Sequence, residues 1–352
     1  MSTAPNVAIV AFGASTAVGT AALSTAAAVR AGVANLVELP WASDRAGNAV
    51  VAAAAPCIDS SLRGTERLLA LALPAAFEAL APILEAPRRL PITLLVALPE
   101  PRPGLSANFE NEVGQKLVSA LRCSFPITGF KTAATGHAGG LLALKHGCEL
   151  VASGMTQLCL VGGVDSWIEL ETLQWLDAAD RLHSERTHWG FCPGEAAGFC
   201  LLCPMDRAQD MQLTAQARIL SVASAMEPNR IQTETVCIAK GLTAACRDVL
   251  GSLPSGIQVN HTVCDLNGEP YRGDEYGFMM ARLGGHFREE AEFETPARSW
   301  GDVGAASGTL FAMVAAVAAQ KRYSRGPLTL LFAGSDSGLR SAALLQTPEV
   351  DR

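Results

Sequence analysis

Residues Thr132–Val164 read TAATGHAGGLLALKHGCELVASGMTQLCLVGGV, and this stretch decides the fold. Small residues surround His137, a leucine-rich segment follows, and a turn at Ser153-Gly154 leads to the apolar run Leu158–Val161. Two glycines end that run. A short apolar run bounded by glycine predicts a buried strand.

The same alternation of short apolar runs and helical stretches extends in both directions from this stretch. It predicts parallel strands that helices cover on both faces. The pattern restarts after Pro204 without a Gly/Ser-rich linker, so we expect two packed halves, residues 1–205 and 206–352. The predicted strands are Val7–Phe12, Ile92–Leu98, Leu158–Val161, Ala197–Cys203, Arg218–Ala223, Ile257–Asn260 and Leu328–Ala333, and the predicted helices include Thr235–Leu250 and Ala305–Arg322.

The composition indicates a globular protein with a large core. The chain has 352 residues, 49% of them hydrophobic and 17% charged, and its formal net charge is -7. Because Lys and Arg do not cluster, nucleic acid is not an expected partner. Two apolar stretches are interpreted as buried helices and not as membrane spans. Leu68–Leu84 contains Pro74 and Glu78, and Ala305–Ala319 is too short.

The N-terminal sequence and the cysteines indicate a cytoplasmic protein. MSTAPNVAIV has no basic run ahead of its apolar residues, which a secretory signal would have. The ten cysteines lack paired spacing, and Cys200 and Cys203 belong to a strand-like run in which residues three apart face opposite sides. We therefore expect reduced thiols and no metal site. We also expect no cofactor, because residues 13–19 lack the GxGxxG spacing of a dinucleotide loop.

Four further motifs accompany the opening stretch in a fixed order. They are VAIVAFGASTAVG at residues 7–19, GFCPGEAAG at 190–198, GDVGAASG at 301–308 and FAGSDSG at 332–338. Together with the opening stretch, which fits without a gap, they resemble the β-ketoacyl synthase branch of the thiolase superfamily. The resemblance implies an α/β protein with a thiolase-like αβαβα five-layer fold and two pseudo-symmetric halves.

The resemblance also assigns the positions that carry the chemistry of that family. A cysteine at the start of a helix takes the acyl group there, and His137 stands in the cysteine position. Two histidines of the family donate hydrogen bonds to the thioester as it becomes a carbanion. Asp302 stands in the position of the second histidine. In Val259–Asn267 (VNHTVCDLN) the gapless register puts Thr262 in the first histidine position, and His261 fits only with one residue deleted.

These replacements argue against the condensation reaction. An imidazole can attack a thioester, but the acyl-imidazole would hydrolyse, and an ionised carboxylate at position 302 would repel the enolate. His137 is interpreted as a relic of the pocket, and two alternatives stay open: an acyl-transfer base and a transient nucleophile. The residues that would line the substrate pocket by resemblance are Gly136, Phe332, Gly334 and Ser335.

Three other features have both a structural and a functional interpretation. Cys264 could be a relocated nucleophile beside His261, but a buried structural thiol is favoured. The charged run Asp265–Glu275 is predicted to be a solvated loop, with a recognition loop over the pocket mouth as the sharper alternative. Glu195 matches a structural glutamate of the family and is expected to support the elbow.

The sequence leaves three hypotheses for the function. The first is a non-catalytic ketosynthase homologue that binds or partners an active synthase, and the second is an acyl-thioester transferase or hydrolase that uses His137. The third is an accessory or adaptor protein of a type VI secretion effector cluster, because Asp265–Glu269 looks similar to shortened thiolase-like proteins of such clusters. The resemblance predicts a homodimer, or a heterodimer with an active ketosynthase, formed through about Phe125–Thr132. An acyl carrier protein and a secretion effector are the further partners it suggests.

Overall fold

A computed structural model describes residues 6–84, 90–231, 233–289 and 292–348. These residues form a nine-stranded mixed sheet and a separate two-stranded hairpin. The strands are β1 (Val7–Thr16), β2 (Val37–Ser43), β3 (Ala49–Ala52), β4 (Ile92–Leu98), β5 (Ile127–Ala134), β6 (Leu158–Ser166), β7 (Glu195–Pro204), β8 (Ala217–Met226), β9 (His261–Cys264), β10 (Leu328–Gly334) and β11 (Leu339–Gln346). The α-helices are α1 (Ala22–Arg30), α2 (Gly64–Leu80), α3 (Phe109–Arg122), α4 (Gly139–Ala152), α5 (Leu170–Ala178), α6 (Lys240–Leu250), α7 (Pro270–Leu283), α8 (Ala297–Trp300) and α9 (Ser307–Gln320).

The nine strands follow the order β5-β4-β6-β7-β1-β8-β11-β10-β9. β4 runs parallel to β5 and β6, and β9 runs parallel to β10. All other neighbours are antiparallel, including both neighbours of β7 and both neighbours of β11. The prediction of parallel strands is therefore wrong for part of the sheet, because an apolar run reports burial on both faces but not strand direction.

The nine strands form two groups, β5-β4-β6-β7-β1 and β8-β11-β10-β9, which are joined where β1 pairs with β8. The central helices α4 and α9 lie between these two groups. α4 packs on β4, β6 and β7 and also on β8 and β11, while α9 packs on β6, β7, β9 and β10. On the outside, α2 and α3 cover β1 and β4–β7, and α6 covers β8 and β11 with α7 beside it. The order helix, sheet, helix, sheet, helix confirms the five-layer fold. The central helices touch at glycine, since a Cβ on Gly308 would lie 2.6 Å from the Leu141 nitrogen.

Most of the predicted elements have an observed counterpart. β4 has the predicted bounds, and β10 begins at Leu328 as predicted. The predicted strand Ile257–Asn260 is wrong, because β9 begins only at His261. Ile257 is 46% exposed, so this apolar residue marks a surface position. The division of the chain near residue 205 stays a prediction, and β7 ends at Pro204.

The apolar stretch Leu68–Leu84 belongs mainly to α2, a largely buried helix that contains Pro74. The Glu78 carboxylate of this helix accepts the backbone N–H groups of Ala14 and Ala22, and it thereby caps α1. Within the described ranges, no helix combines the length and the apolar character that a bilayer crossing requires.

All ten cysteines are free thiols. Cys200 and Cys203 lie in β7 and contribute to different hydrophobic clusters, so they face opposite sides of the sheet as their spacing predicted. Burial raises the pKa of the Cys203 thiol to about 11. These two thiols are core side chains.

Candidate functional site

The elbow at His137 joins β5 to the central helix α4. β5 ends at Ala134, and one 3-10 turn over Gly136–Ala138 leads into the helix. Gly136 has a φ of 64°, a left-handed conformation that glycine adopts without steric cost. His137 is the middle residue of this turn, and it is buried with only 3% of its surface exposed.

Asp302, which precedes the other central helix, holds His137. The imidazole Nε2 lies 2.7 and 2.9 Å from the two carboxylate oxygens of Asp302. The same carboxylate accepts hydrogen bonds from Trp167 Nε1 at 3.2 Å, Asn267 Nδ2 at 2.7 Å and the Gly304 N–H at 2.9 Å. Because a carboxylate has about four acceptor sites, the protein itself satisfies Asp302.

His137 and Asp302 form a buried ion pair. Burial alone would lower the pKa of His137, but the Asp302 carboxylate outweighs burial and raises that pKa above its ordinary value. Burial would raise the pKa of Asp302, yet the His137 imidazolium and the Arg272 guanidinium hold it well below its usual range. Because the Asp302 carboxylate can only accept, His137 Nε2 carries a hydrogen and donates a hydrogen bond to it.

Arg272 of α7 lies beside this ion pair. Its Nη2 is 3.4 Å from His137 Nε2, and its Nη1 donates to Asp265 Oδ2 at 2.5 Å and to the Gly334 carbonyl at 2.8 Å. Asp265 thereby offsets the repulsion between the two cations. Two cations and two carboxylates balance around the elbow, as buried charges require.

A second set of charges surrounds the first. Arg181 Nε donates to Glu269 Oε1 at 2.7 Å, and Arg181 Nη1 donates to Asp336 Oδ2 at 2.5 Å. Asn267 connects the two sets, because its Nδ2 lies 3.1 Å from Glu269 Oε2 and also donates to Asp302. The elbow is thus the centre of one continuous buried polar network, and such networks stabilise a single arrangement when their members are satisfied.

The charged run Asp265–Glu275 is not the solvated loop that its composition predicted. It leads from β9 into α7, and Asp265, Glu269, Arg272 and Glu275 are all at most 8% exposed. The prediction was wrong because charge density indicates solvent contact only when the charges lack buried partners. Here opposite charges from distant segments meet them. The run contacts His137 at the elbow through Arg272 and its partner Asp302 through Asn267, and the recognition-loop alternative stays a prediction.

The structure does not bring His261 or Thr262 to the elbow. His261 begins β9, where its Nε2 lies 3.3 Å from a Glu294 carboxylate oxygen, and burial lowers its pKa to about 4. Asp265, directly after β9, is the residue that reaches the network. The end of this strand faces the elbow, and His261 lies about 10 Å back along the strand from Cys264.

Cys264 and Glu195 both have structural surroundings. Burial raises the pKa of the Cys264 thiol well above its ordinary value, and its Sγ lies 3.8 Å from the Glu294 carbonyl oxygen. The Glu195 carboxylate accepts hydrogen bonds from Arg67 at 2.6 and 2.7 Å and from the Ser166 hydroxyl at 2.8 Å. Cys264 therefore offers no thiolate near neutral pH, and Glu195 connects α2 to the sheet.

The pocket residues of the glycine-rich loop already use their polar groups within the protein. Gly334 N–H donates to Asp265 Oδ2 at 2.7 Å. The Ser335 hydroxyl accepts the Ala138 N–H at 2.9 Å and donates to the Thr135 carbonyl at 2.5 Å. A substrate that needed these groups would have to displace existing hydrogen bonds.

The cavity next to Asp302 is too small for an acyl group. It measures about 10 Å³, about the room for one water molecule, and Asp265 and Asn267 contribute to its wall. Phe332 packs in the hydrophobic cluster around β10, and Gly136 touches the Glu100 side chain. Two larger cavities, of about 540 and 670 Å³, lie away from the elbow, beside the starts of β4 and β6 and of β10 respectively.

One group of potential metal ligands lies away from the elbow. Its members are Glu227, Cys237 and Glu275, whose ligand atoms lie within 4.8 Å of one another. Arg340 Nε donates to both Glu275 oxygens at 2.9 and 3.0 Å, and Glu227 accepts the Gly241 N–H at 2.6 Å. Burial raises the pKa of the Cys237 thiol to about 12. The protein's own groups therefore satisfy both carboxylates.

Comparison with known proteins supports the fold. Residues 125–208 match the family model of the β-ketoacyl synthase N-terminal domain. No curated protein matches the chain in sequence.

Several solved structures are similar over almost the whole chain. One is a type II polyketide synthase acyl-carrier protein in complex with its ketosynthase bound to the hexaketide (TM-score 0.77, 14% identity, 97% of this chain and 99% of that chain). Another is the ishigamide ketosynthase/chain length factor (TM-score 0.72, 20% identity, 97% and 99%). A third is ketosynthase twelve from the bacillaene polyketide synthase of Bacillus amyloliquefaciens (TM-score 0.68, 13% identity, 97% and 73%).

Together, these comparisons establish the fold of the chain. It has the fold of the ketosynthases, and its segment 125–208 is similar to their N-terminal domain. At these identities the similar structures establish the fold, and the chemistry has to be argued from the side chains at the elbow.

Proposed function

We propose that the chain is a catalytically degenerate β-ketoacyl synthase-like protein that acts as a binding or partner subunit and not as a condensing enzyme. The observation that carries this proposal is the buried ion pair in which His137 Nε2 lies 2.7 Å from Asp302 Oδ1. A protonated Nε2 has no lone pair for attack on a thioester or for accepting a proton. The side chain that the resemblance places in the nucleophile position is therefore held by a structural hydrogen bond, and the Asp302 carboxylate raises its pKa.

The polarity around the elbow also opposes a Claisen condensation. A developing enolate needs hydrogen-bond donors, whereas Asp302 and Asp265 present carboxylates. Arg272 is a donor beside the elbow, and Asp265 and the Gly334 carbonyl already occupy its Nη1. The cavity beside Asp302, of about 10 Å³, holds about one water molecule.

Acylation assays on the unmutated chain test the loss of catalysis. The chain is incubated with acyl-CoA, malonyl-CoA or an acylated carrier protein, and intact mass and thiol release are measured. We expect an unchanged mass and no release above that of buffer. An adduct, or a release that His137→Ala abolishes, would contradict the proposal and favour the transferase or hydrolase alternative.

The edge strand β5 supports a role as a partner subunit. β5 is the last strand at one end of the nine-stranded sheet, and its residue Phe130 is 42% exposed. An edge strand with an exposed apolar side chain is suited to pairing with another chain. One similar structure is a ketosynthase/chain length factor, which supports pairing with a second copy or with an active ketosynthase. The acyl-carrier protein complex makes a carrier protein the next partner to test.

Light scattering with size-exclusion chromatography tests the role of β5. We expect a dimer of the wild-type chain, or a dimer formed with a co-expressed ketosynthase encoded nearby, and Phe130→Glu should weaken either one. Met155→Glu is the matched control, since Met155 is 77% exposed and lies outside β5. Equal assembly of the wild type and both variants would contradict pairing through β5. The secretion-effector hypothesis has a separate test, since it predicts that a neighbouring gene encodes a type VI secretion effector.

A further inference from the structure

Glu100 lies where the elbow meets the glycine-rich loop 334–338. It follows the end of β4 and is half-buried. Its two carboxylate oxygens accept the backbone N–H groups of Asp336 and Ser337, each at 3.0 Å. Glu100 also touches the elbow, since a Cβ on Gly136 would lie 2.9 Å from Glu100 Cγ. One side chain thus contacts both segments.

The bonding of Glu100 differs from that of the carboxylates inside the site. Asp302 and Asp265 face cations, whereas Glu100 is held by two consecutive backbone amides. Successive N–H groups that converge on one carboxylate form an anion-binding concavity. Such charge-assisted hydrogen bonds are stronger than those between neutral groups. The contact therefore fixes the backbone of the loop and not only a side chain.

The loop that Glu100 holds also closes the site. The side chain of Asp336 binds Arg181, and Ser335 binds the Ala138 N–H at the elbow. The Asp336 side chain is 17% exposed, whereas the His137 side chain is 3% exposed. The loop and Glu100 therefore separate the elbow from solvent on this side.

We propose that Glu100 is a latch that holds the glycine-rich loop 334–338 closed on the elbow and shuts the solvent side of the His137 site. This inference rests on the proposed function, in which the pocket of the fold is closed and unused. The charged residues around His137 occupy the inside of the site, and Glu100 holds loop 334–338 in place at its outer side. Loss of the latch should loosen the loop while the rest of the fold stays intact.

Hydrogen exchange followed by mass spectrometry tests the latch in the otherwise native chain. In Glu100→Ala we expect the amides of residues 134–140 and 332–340 to exchange about tenfold faster, the factor that corresponds to about 1.4 kcal/mol of lost hydrogen bonding. Glu100→Gln keeps one acceptor oxygen and should give a smaller increase. Glu171→Ala, at an exposed position of α5, is the matched control and should change neither segment. Unchanged exchange in Glu100→Ala, or an equal increase throughout the chain, would overturn the proposal.

A thiol reporter gives a second measurement of the same opening. His137→Cys is combined with Glu100→Ala, and alkylation at position 137 by iodoacetamide is followed by peptide mass spectrometry. The double variant should react about tenfold faster than His137→Cys alone, and equal rates would overturn the latch. Where the reporter variant does not fold, hydrogen exchange alone decides. The acylation assay on the unmutated chain tests the proposed function separately, so the two can fail independently.

Discussion

The two central helices begin with the same backbone frame in both halves of the molecule. A glycine of positive φ opens each turn, with 64° at Gly136 before α4 and 46° at Gly304 before α9. One 3-10 turn follows in each case and leads directly into the helix. A side chain from the other half caps each turn: Ser335 accepts a backbone N–H ahead of α4, and Asp165 accepts one ahead of α9 at 2.9 Å.

The side chains on this shared frame differ. Asp165 is charged and pairs with Arg102 at 2.5 Å, whereas Ser335 is neutral. The turn before α9 carries Ala305 where the turn before α4 carries His137. The backbone therefore forms a buried helix N-terminus at both turns, and a helix N-terminus favours negative charge beside it. The side chains then decide whether that position is structural or chemical, and under the proposed function both positions are structural.

Removal of Asp302 should have the largest effect on stability. Asp302→Ala deprives His137, Trp167, Asn267 and the Gly304 N–H of their common acceptor, so we expect a loss of about 4–5 kcal/mol in the free energy of unfolding. Urea denaturation measures the loss. Asp302→Asn keeps the shape and one acceptor oxygen, so it should lose less stability. If Asp302→Ala lost less stability than Asp165→Ala, the predicted order would be wrong.

Removal of Asp165 should come next. Asp165→Ala leaves the guanidinium of Arg102 buried over the Trp167 ring without its counterion, and we expect a loss of about 3 kcal/mol. The same denaturation experiment checks this value, with Asp165→Asn as the control. A loss of less than about 1 kcal/mol would show that the two caps are equivalent, and the contrast between the halves would then not hold.

The pH dependence of stability should identify the ion pair between His137 and Asp302. The pKa of His137 is raised in the fold, so its contribution is present below about pH 6.5 and is lost as pH rises through the folded pKa. The pKa of Asp302 is lowered, so its contribution is present above about pH 4 and is lost only as pH falls through the folded pKa.

Denaturation between pH 5 and pH 10 tests this dependence. Stability of the wild type should fall above pH 6.5 with a slope of at most about 1.4 kcal/mol per pH unit. His137→Gln should lack this slope while it keeps the volume of the side chain. Identical pH profiles for the wild type and the variant would contradict a charged His137.

Removal of Ser335 should have the smallest effect. Ser335→Ala deletes one neutral cap at the Ala138 N–H, which is worth about 1 kcal/mol. A shift in the urea midpoint measures it, and Ser337→Ala, a loop serine that binds Glu100 through its backbone and not its side chain, is the control. A cost similar to that of Asp165→Ala would remove the distinction between a neutral and a charged cap.

Several features of the elbow could be predicted because they are local. The glycines around His137, the turn at Ser153-Gly154 and the run Leu158–Val161 each act within a few residues, and the observed helix and strand follow that order. Asp265 was not predicted as a site residue, because the prediction was based on the alignment with the family's motif and not on where the strand ends. Its sequence signal was weak, since the residues before it, Val259–Cys264, mix apolar residues with Asn260, His261 and Thr262.

By itself, the sequence determined the glycine turn and the buried strand and helix around it, because backbone propensities and apolar spacing act over short distances. The fold class and the imidazole at the start of a central helix followed from the resemblance of the motifs to the β-ketoacyl synthases. The tertiary structure alone decided what the imidazole meets. Asp302 lies 165 residues from His137 along the chain, and Arg272 lies 135 residues away. No local pattern encodes such a pairing. The charge of a buried residue depends on which opposite charges the completed fold brings within a few ångströms of it.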